Sequence, residues 1–270
     1  MNIKSILFFI FTFLSVHSLF AVNTETVITY SQSMQKEIKA VVFTPDSYDS
    51  GILFPVVYLL HGHGGSYEDW SAEKNGIGKL ADLYNVIIVC PDGNRNSWYF
   101  DSPVEKTSKY ETYISKELVN WIDNRYNTIK NPKGRGITGL SMGGHGALYL
   151  AIRHQDIYGV AGSMSGGVDI RPFPNNWELS QKLGSYNEHA GNWEKNTVIN
   201  MIDQIKPGLA IIVDCGVDDF FYQVNCRFHE KLLKNKIPHD FIARPGEHNW
   251  DYWRNAVKYQ LLFMSDYFKK

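Results

Sequence analysis

Arg135-Gly136-Ile137-Thr138-Gly139-Leu140-Ser141-Met142-Gly143-Gly144-His145-Gly146-Ala147-Leu148-Tyr149-Leu150-Ala151-Ile152-Arg153 decides the fold. Arg135 to Thr138 reads as a short strand. Gly144 to Arg153 reads as a helix with Ala, Leu and Ile on one face. Between them lies Gly-x-Ser-x-Gly, the turn that presents a nucleophilic serine above a sheet. The glycines have a steric reason. The serine needs a tight, strained strand-to-helix turn, where a side chain at Gly139 or Gly143 would meet neighbouring backbone. The same turn sets the Met142 N–H at a helix start, where it can donate to an oxyanion.

On either side of this block, strands alternate with helices. Thr26 to Tyr30 and Ile38 to Phe43 are expected to be two antiparallel strands. Pro55 to Leu60 is a continuous apolar run, as suits a strand buried on both faces. Gly76 to Tyr84 is a predicted short helix, Val86 to Val89 a strand, and Tyr110 to Tyr126 a long amphipathic helix. In that helix Tyr113, Ile114, Leu118, Trp121, Ile122 and Arg125 fall at helical spacing. Val160 to Ser165 is a further strand. Gly166 to about Trp193 has no clear period and is expected to be an irregular insertion over the sheet edge. A helix at Thr197 to Ile205, a strand at Leu209 to Val213, a helix at Tyr222 to Lys236, a strand at Asp240 to Ala243 and a helix at Tyr252 to Phe268 complete the pattern. It predicts a mostly parallel sheet covered by helices on both faces, an α/β fold.

The chain has 270 residues, a formal net charge of −1 and 20% charged residues, which gives nucleic acid no basic surface to bind. Aromatic residues make up 14%, including 7 Trp and 16 Tyr, enough for a dense core or a cleft that stacks on sugars or phenols. At the N-terminus, Lys4 precedes an apolar run from Ile6 to Val16, and Ala21 offers a small residue for cleavage. The run falls short of the roughly 20 residues that span a bilayer, so residues 1–21 are expected to be a cleaved export signal. No repeat or linker divides residues 22–270, which are expected to form one domain. Three cysteines cannot make a full disulfide framework. Cys90 and Cys215 end β-like runs and are read as buried thiols, with a Cys215–Cys226 bridge as the alternative.

A serine nucleophile needs a base, and the base needs an orienting acid. In this order of elements the acid follows a late strand and the histidine the last one. His248, after the final strand, fits the base. Asp218 and Asp219 both follow the strand ending near Cys215, and their positions alone leave either as the acid; Asp214, still within the strand, reads as structural. His61-Gly62-His63-Gly64-Gly65 follows an early strand and offers the His63 N–H as a second oxyanion donor. The His-x-His pair has no further ligands at metal-site spacing, so no metal is expected. His145, one turn into the elbow helix, reads as packed. Trp98, Tyr99 and Trp177 are candidate substrate-stacking residues, with core packing as the competing role.

Several blocks together carry a family resemblance: Leu59-Leu60-His61-Gly62-His63-Gly64-Gly65, Pro91-Asp92-Gly93 with Ser97-Trp98-Tyr99, Gly139 to Gly144, Cys215-Gly216-Val217-Asp218-Asp219-Phe220, and Gly246-Glu247-His248-Asn249-Trp250. In this order the chain resembles the esterase D-like branch of the α/β-hydrolases. That branch holds S-formylglutathione hydrolases, tributyrin esterases, feruloyl and acetyl-xylan esterases, and mycolyltransferases. The resemblance implies Ser141 as nucleophile, His248 as base, and Asp219, three places after Gly216, as acid. It implies oxyanion donors at the His63 and Met142 amides, and no cofactor. Where the family has Gly-Gly-His this chain has Gly246-Glu247-His248, which sets a negative charge beside the base. The expectation is an exported serine carboxylesterase that removes acetyl or feruloyl groups from plant polysaccharides or oligosaccharides. Acyl transfer to a sugar alcohol, a short-chain or S-formylglutathione-type esterase, and a non-catalytic carbohydrate-binding relic are the alternatives.

Overall fold

A computed structural model describes residues 23–48 and 51–270; the expected export signal lies outside the described residues. The chain opens with an antiparallel pair, β1 (Asn23–Ser31) and β2 (Lys36–Thr44). There follow β3 (Val56–Leu60), α1 (Ile77–Tyr84) and β4 (Ile87–Pro91). Next is a helical stretch made of α2 (Tyr110–Thr112), a π-helical segment (Tyr113–Leu118) and α3 (Val119–Arg125). The elbow block supplies β5 (Arg135–Gly139) and α4 (Met142–Arg153), followed by β6 (Val160–Met164). α5 (Leu179–Leu183) and α6 (Tyr186–Asn196) precede β7 (Ala210–Gly216). The chain closes with α7 (Tyr222–Lys234), β8 (Asp240–Arg244) and α8 (Trp250–Phe268).

The described strands form one sheet in the order β1-β2-β4-β3-β5-β6-β7-β8. β1 and β2 join it antiparallel, and every pairing among the other six is parallel. The carboxyl ends of those six strands therefore share one rim. β3 and β5 are direct neighbours in register Leu60↔Gly139, so the loop starting at His61 and the turn starting at Leu140 leave the sheet side by side. Open α/β sheets build their sites at such a reversal of strand order.

Alternation along each strand feeds two cores. Val56, Tyr58 and Leu60 point to the layer of α3, α4 and α7, while Val57 and Leu59 point to that of α1 and α8. All five residues of β3 are buried, as its unbroken apolar run requires. The thiols of Cys90 and Cys215 are buried, and all three cysteines are free, so the alternative Cys215–Cys226 bridge is absent.

Three expectations need correction. The predicted helix at Tyr110 to Tyr126 contains the π-helical segment, whose wider turn shifts the phase of the apolar stripe. Ile122 stays buried, whereas Arg125 faces solvent with its side chain 60% exposed. The insertion after Gly166 is not wholly irregular, since it contains α5 and α6. α5 is a single short turn, and α6 is kinked at His189 and buries only Trp193, so neither repeats an apolar face long enough to read. In place of a helix over Thr197 to Ile205 stand two 3-10 turns, Val198–Asn200 and Ile202–Gln204.

The helical layer is tied together by one shielded carboxylate. Glu111 accepts hydrogen bonds from Arg153 Nε at 2.7 Å, His154 Nε2 at 2.9 Å and the Tyr149 hydroxyl at 2.8 Å. Burial alone would raise its pKa, but the His154 and Arg153 contacts outweigh burial and pull it down to about 2. A carboxyl depressed in the folded state stabilises fully above its ordinary value near 4.5, and that contribution fades as pH falls towards 2. Glu111→Gln is expected to lower stability at pH 7 by on the order of 3 kcal/mol, with the gap to wild type closing between about pH 4.5 and pH 2. Urea melts across that range measure the gap; one of constant size would overturn the assignment.

Candidate active site

Ser141 stands between β5 and α4 with φ 54° and ψ −116°. A non-glycine residue at positive φ is strained by roughly 1–3 kcal/mol, so its surroundings must hold it. Its N–H donates to the Met164 carbonyl at 2.8 Å, and its carbonyl accepts the His145 N–H at 3.0 Å. The glycines beside it are required by close backbone approach. A Cβ on Gly143 would lie 2.6 Å from the carbonyl oxygens of both Leu60 and His61, and one on Gly139 would lie 2.7 Å from the Leu60 oxygen.

His248 and Asp219 reach Ser141 from the ends of β8 and β7. His248 Nε2 lies 2.9 Å from Ser141 Oγ, and His248 Nδ1 lies 2.8 Å from Asp219 Oδ2. A carboxylate only accepts, so Nδ1 carries the proton and Nε2 is left to accept from the serine hydroxyl. The Asp219 side chain is fully shielded, and its other oxygen accepts the Phe221 N–H at 2.7 Å. Asp218, its neighbour, is exposed. The geometry thus separates the two aspartates that sequence position had left level. Two glycines let these loops touch: a Cβ on Gly216 would lie 2.2 Å from the Gly246 oxygen, and Gly246 itself has φ 150°. Asp214 belongs to the scaffold, buried in β7 and bound by Arg244 at 2.6 Å and by the Tyr252 hydroxyl. Glu247 is exposed.

The loop after β3 is fixed through its first histidine. His61 Nε2 accepts the Gly93 N–H at 2.8 Å, which places the ring proton on Nδ1, 2.8 Å from the Gly62 carbonyl that accepts it. Burial holds this imidazole below the usual histidine range, in keeping with a neutral ring. The next residue, Gly62, lies against the elbow; a Cβ there would come 3.5 Å from the Ser141 Cβ. His63 follows Gly62 directly in the chain.

The aromatic expectations divide. Trp98 and Tyr99 are wholly buried and cannot offer a face to a substrate. Their residues sit at φ 52° and 62°, which turns both side chains inward. The Trp98 ring packs on His145, and the Tyr99 hydroxyl donates to the His61 carbonyl at 3.0 Å. Trp177 is only half-buried and stacks on Phe220 at 5.6 Å between ring centroids. Phe220 is 51% exposed, with its ring centroid 4.2 Å from that of His248. The sequence blocks include it, directly after Asp219, but give it no contact with substrate. His145 is packed as expected: its Nδ1 hydrogen bonds the Gly167 carbonyl at 2.9 Å, and burial brings its pKa down to about 4. Among the described residues, no three His, Cys, Asp or Glu side chains gather as metal ligands, and no helix is long and apolar enough to cross a membrane.

The family described as "Putative esterase" matches residues 31–264. An acetyl esterase of Caldicellulosiruptor saccharolyticus is 27% identical over 222 residues, 77% of this chain and 82% of that protein. An esterase of Mycobacterium tuberculosis is 36% identical over 134 residues, 48% of this chain, and the match spans 29% of that protein's length. A ferulic acid esterase of known structure superposes with a TM-score of 0.81 at 28% identity, covering 92% of this chain and 99% of its own. An S-formylglutathione hydrolase from Staphylococcus aureus superposes with a TM-score of 0.80, covering 91% of this chain and 99% of its own; at 20% identity that likeness is one of fold.

The elbow packing is directly testable. Gly143→Ala should be overpacked by about 1–3 kcal/mol, which lowers Tm by several degrees. Gly191→Ala is the control, because a Cβ there meets nothing within 4 Å. Equal melting temperatures for the two variants would refute the crowding.

Proposed function

The chain belongs to the esterase family, and from that premise we propose that it is an exported serine carboxylesterase acting on acyl esters of plant polysaccharides or their fragments. The observation that carries the reading is the unbroken line of contacts from Asp219 through His248 to Ser141, at 2.8 Å and 2.9 Å.

In the proposed reaction His248 Nε2 takes the Ser141 hydroxyl proton as Oγ attacks the ester carbonyl carbon. The carbonyl oxygen gains the displaced electron pair and is held by the His63 and Met142 N–H groups. The tetrahedral intermediate collapses, the carbon–oxygen bond to the alcohol breaks, and the imidazolium returns its proton to the leaving oxygen. Water then repeats the sequence on the acyl-serine: His248 takes its proton, the hydroxyl attacks, and the free acid leaves as Ser141 recovers its proton. Asp219 keeps the Nδ1 proton in place and stabilises the transient imidazolium. Its own charge is held by the Phe221 N–H. Every step uses groups of this chain and water.

For the acyl group, Phe220 and Trp177 form a partly open aromatic wall beside His248. A planar feruloyl ring finds a stacking partner there, and an acetyl group needs none. The likeness to a ferulic acid esterase and to an acetyl esterase supports both acyl types.

Ser141→Ala is expected to lower kcat by on the order of 10⁴ or more with Tm unchanged, and to abolish labelling by a fluorophosphonate. A variant that keeps a tenth of the activity would sink the mechanism. Phe220→Ala should lower kcat/KM on methyl ferulate by about 3- to 10-fold, while p-nitrophenyl acetate turnover stays within about 2-fold. Measured together with acetylated xylan, these esters also test the substrate class; activity confined to S-formylglutathione would overturn it.

A further inference from the structure

Apart from its two histidines, the loop His61-Gly62-His63-Gly64-Gly65 is glycine, and Gly64 sits at φ 79°. Such a loop has few side chains to hold it and much conformational entropy to lose. His61 anchors one end to Gly93. The one side-chain anchor of the other end is the His63 ring. Its Nε2 lies 3.0 Å from a Glu178 carboxylate oxygen, and that same oxygen accepts Arg95 Nε at 3.3 Å. Arg95 is also joined to the glycine loop through its carbonyl, which accepts the Gly64 N–H at 2.8 Å. Three loops therefore converge on one oxygen.

The His63 contact is the stronger of the two. Its side chain is 19% exposed, against 66% for Arg95, and exposed ion pairs are weak. The His63 hydrogen bond leads the causes that hold the Glu178 carboxyl below its ordinary range.

The backbone at Glu178 is itself strained. Trp177 and Glu178 are consecutive non-glycine residues at φ 48° and 57°. Such conformations persist where neighbours determine them, and they concentrate at functional sites. Trp177 is held by Trp98, whose Nε1 donates to its carbonyl at 3.3 Å, and by the stack on Phe220 next to His248. One dipeptide thus links the glycine loop to the surroundings of the general base.

We propose that Glu178 is a positioning residue for the oxyanion site: its carboxylate fixes the His63 ring and, through it, the direction of the His63 backbone N–H. This rests on the esterase reading above. No step of the hydrolytic chemistry passes through Glu178; it acts by orienting a donor on a loop that is mostly glycine.

The test is a set of steady-state measurements on one ester, methyl ferulate or p-nitrophenyl acetate. Glu178→Ala is expected to lower kcat by about 10- to 100-fold with KM within about 3-fold, because a misdirected oxyanion donor is felt in the transition state. Glu178→Gln keeps a carbonyl acceptor for the His63 ring and should recover most of the loss. His63→Ala keeps the backbone amide but loses the ring, so it should fall by the same factor as Glu178→Ala. The double variant should fall no further. Unchanged kcat in Glu178→Ala, a change in KM alone, or losses that multiply in the double variant would overturn the proposal. Melting curves and fluorophosphonate labelling verify each fold, and if Glu178→Ala does not fold, His63→Ala decides by the same criteria. A wild-type protein inert to esters and to fluorophosphonate would strike the esterase reading instead.

Discussion

Ser141 stands at a backbone conformation that side chains avoid, and the sheet around it is built so that it can stay there. The enabling constraint is the close approach of two chain segments. Leu60 and Gly139 are paired partners at the ends of adjacent parallel strands. Beyond them the elbow presses so tightly on Leu60 and His61 that neither Gly139 nor Gly143 has room for a Cβ. Two backbone hydrogen bonds at Ser141, each of about 1 kcal/mol net, are of the size needed to offset its strain of roughly 1–3 kcal/mol. Loosening this contact would release the serine and separate the two loops that flank it.

The rest of the site is positioned by the same logic at two further strand ends. β7 and β8 pair in parallel up to Gly216 and Arg244, and their loops touch where Gly216 meets the Gly246 carbonyl. That contact carries Asp219 and His248 towards each other from opposite loops. Asp218 donates its N–H to the Gly246 carbonyl at 3.0 Å, so its backbone serves the junction while its side chain remains in solvent. The adjacent Asp219 turns inward. One aspartate of the pair therefore braces the loop with its main chain, and the other meets the histidine.

Much of this was legible in the sequence. Central strands such as Val56–Leu60 announce themselves because burial on both faces leaves an unbroken apolar run. Gly139, Ser141 and Gly143 were readable because a strained turn admits few residue types, and the placement of His248 because the order of elements fixes which late loop meets the elbow. The choice of Asp219 over Asp218 was different. Adjacent carboxylates look alike until the loop direction is known, and family resemblance had to separate them. The phase shift at Tyr113–Leu118 left no mark, since a π-turn arises from packing and not from composition. Trp98 and Tyr99 misled because loop aromatics suggest an open face, whereas their left-handed backbones turn them into the core. Glu178 was invisible for a simpler reason: it meets His63 and Arg95 across long stretches of chain, and no local pattern encodes that meeting.

The one departure from the family pattern, Glu247 beside His248, is best weighed by where each charge sits. Coulomb energy falls with distance and with dielectric together. Asp219 is fully shielded from solvent and 2.8 Å from the imidazole, whose ring is also packed by Phe220, Phe221 and Trp253. Glu247 is exposed, so water and salt screen it within a Debye length of about 8 Å. At comparable charge the shielded partner at hydrogen-bond distance outweighs the solvated one. The aromatic rings thus do more than pack. They shield one side of His248, whose Nδ1 meets Asp219, while Glu247 stays in solvent.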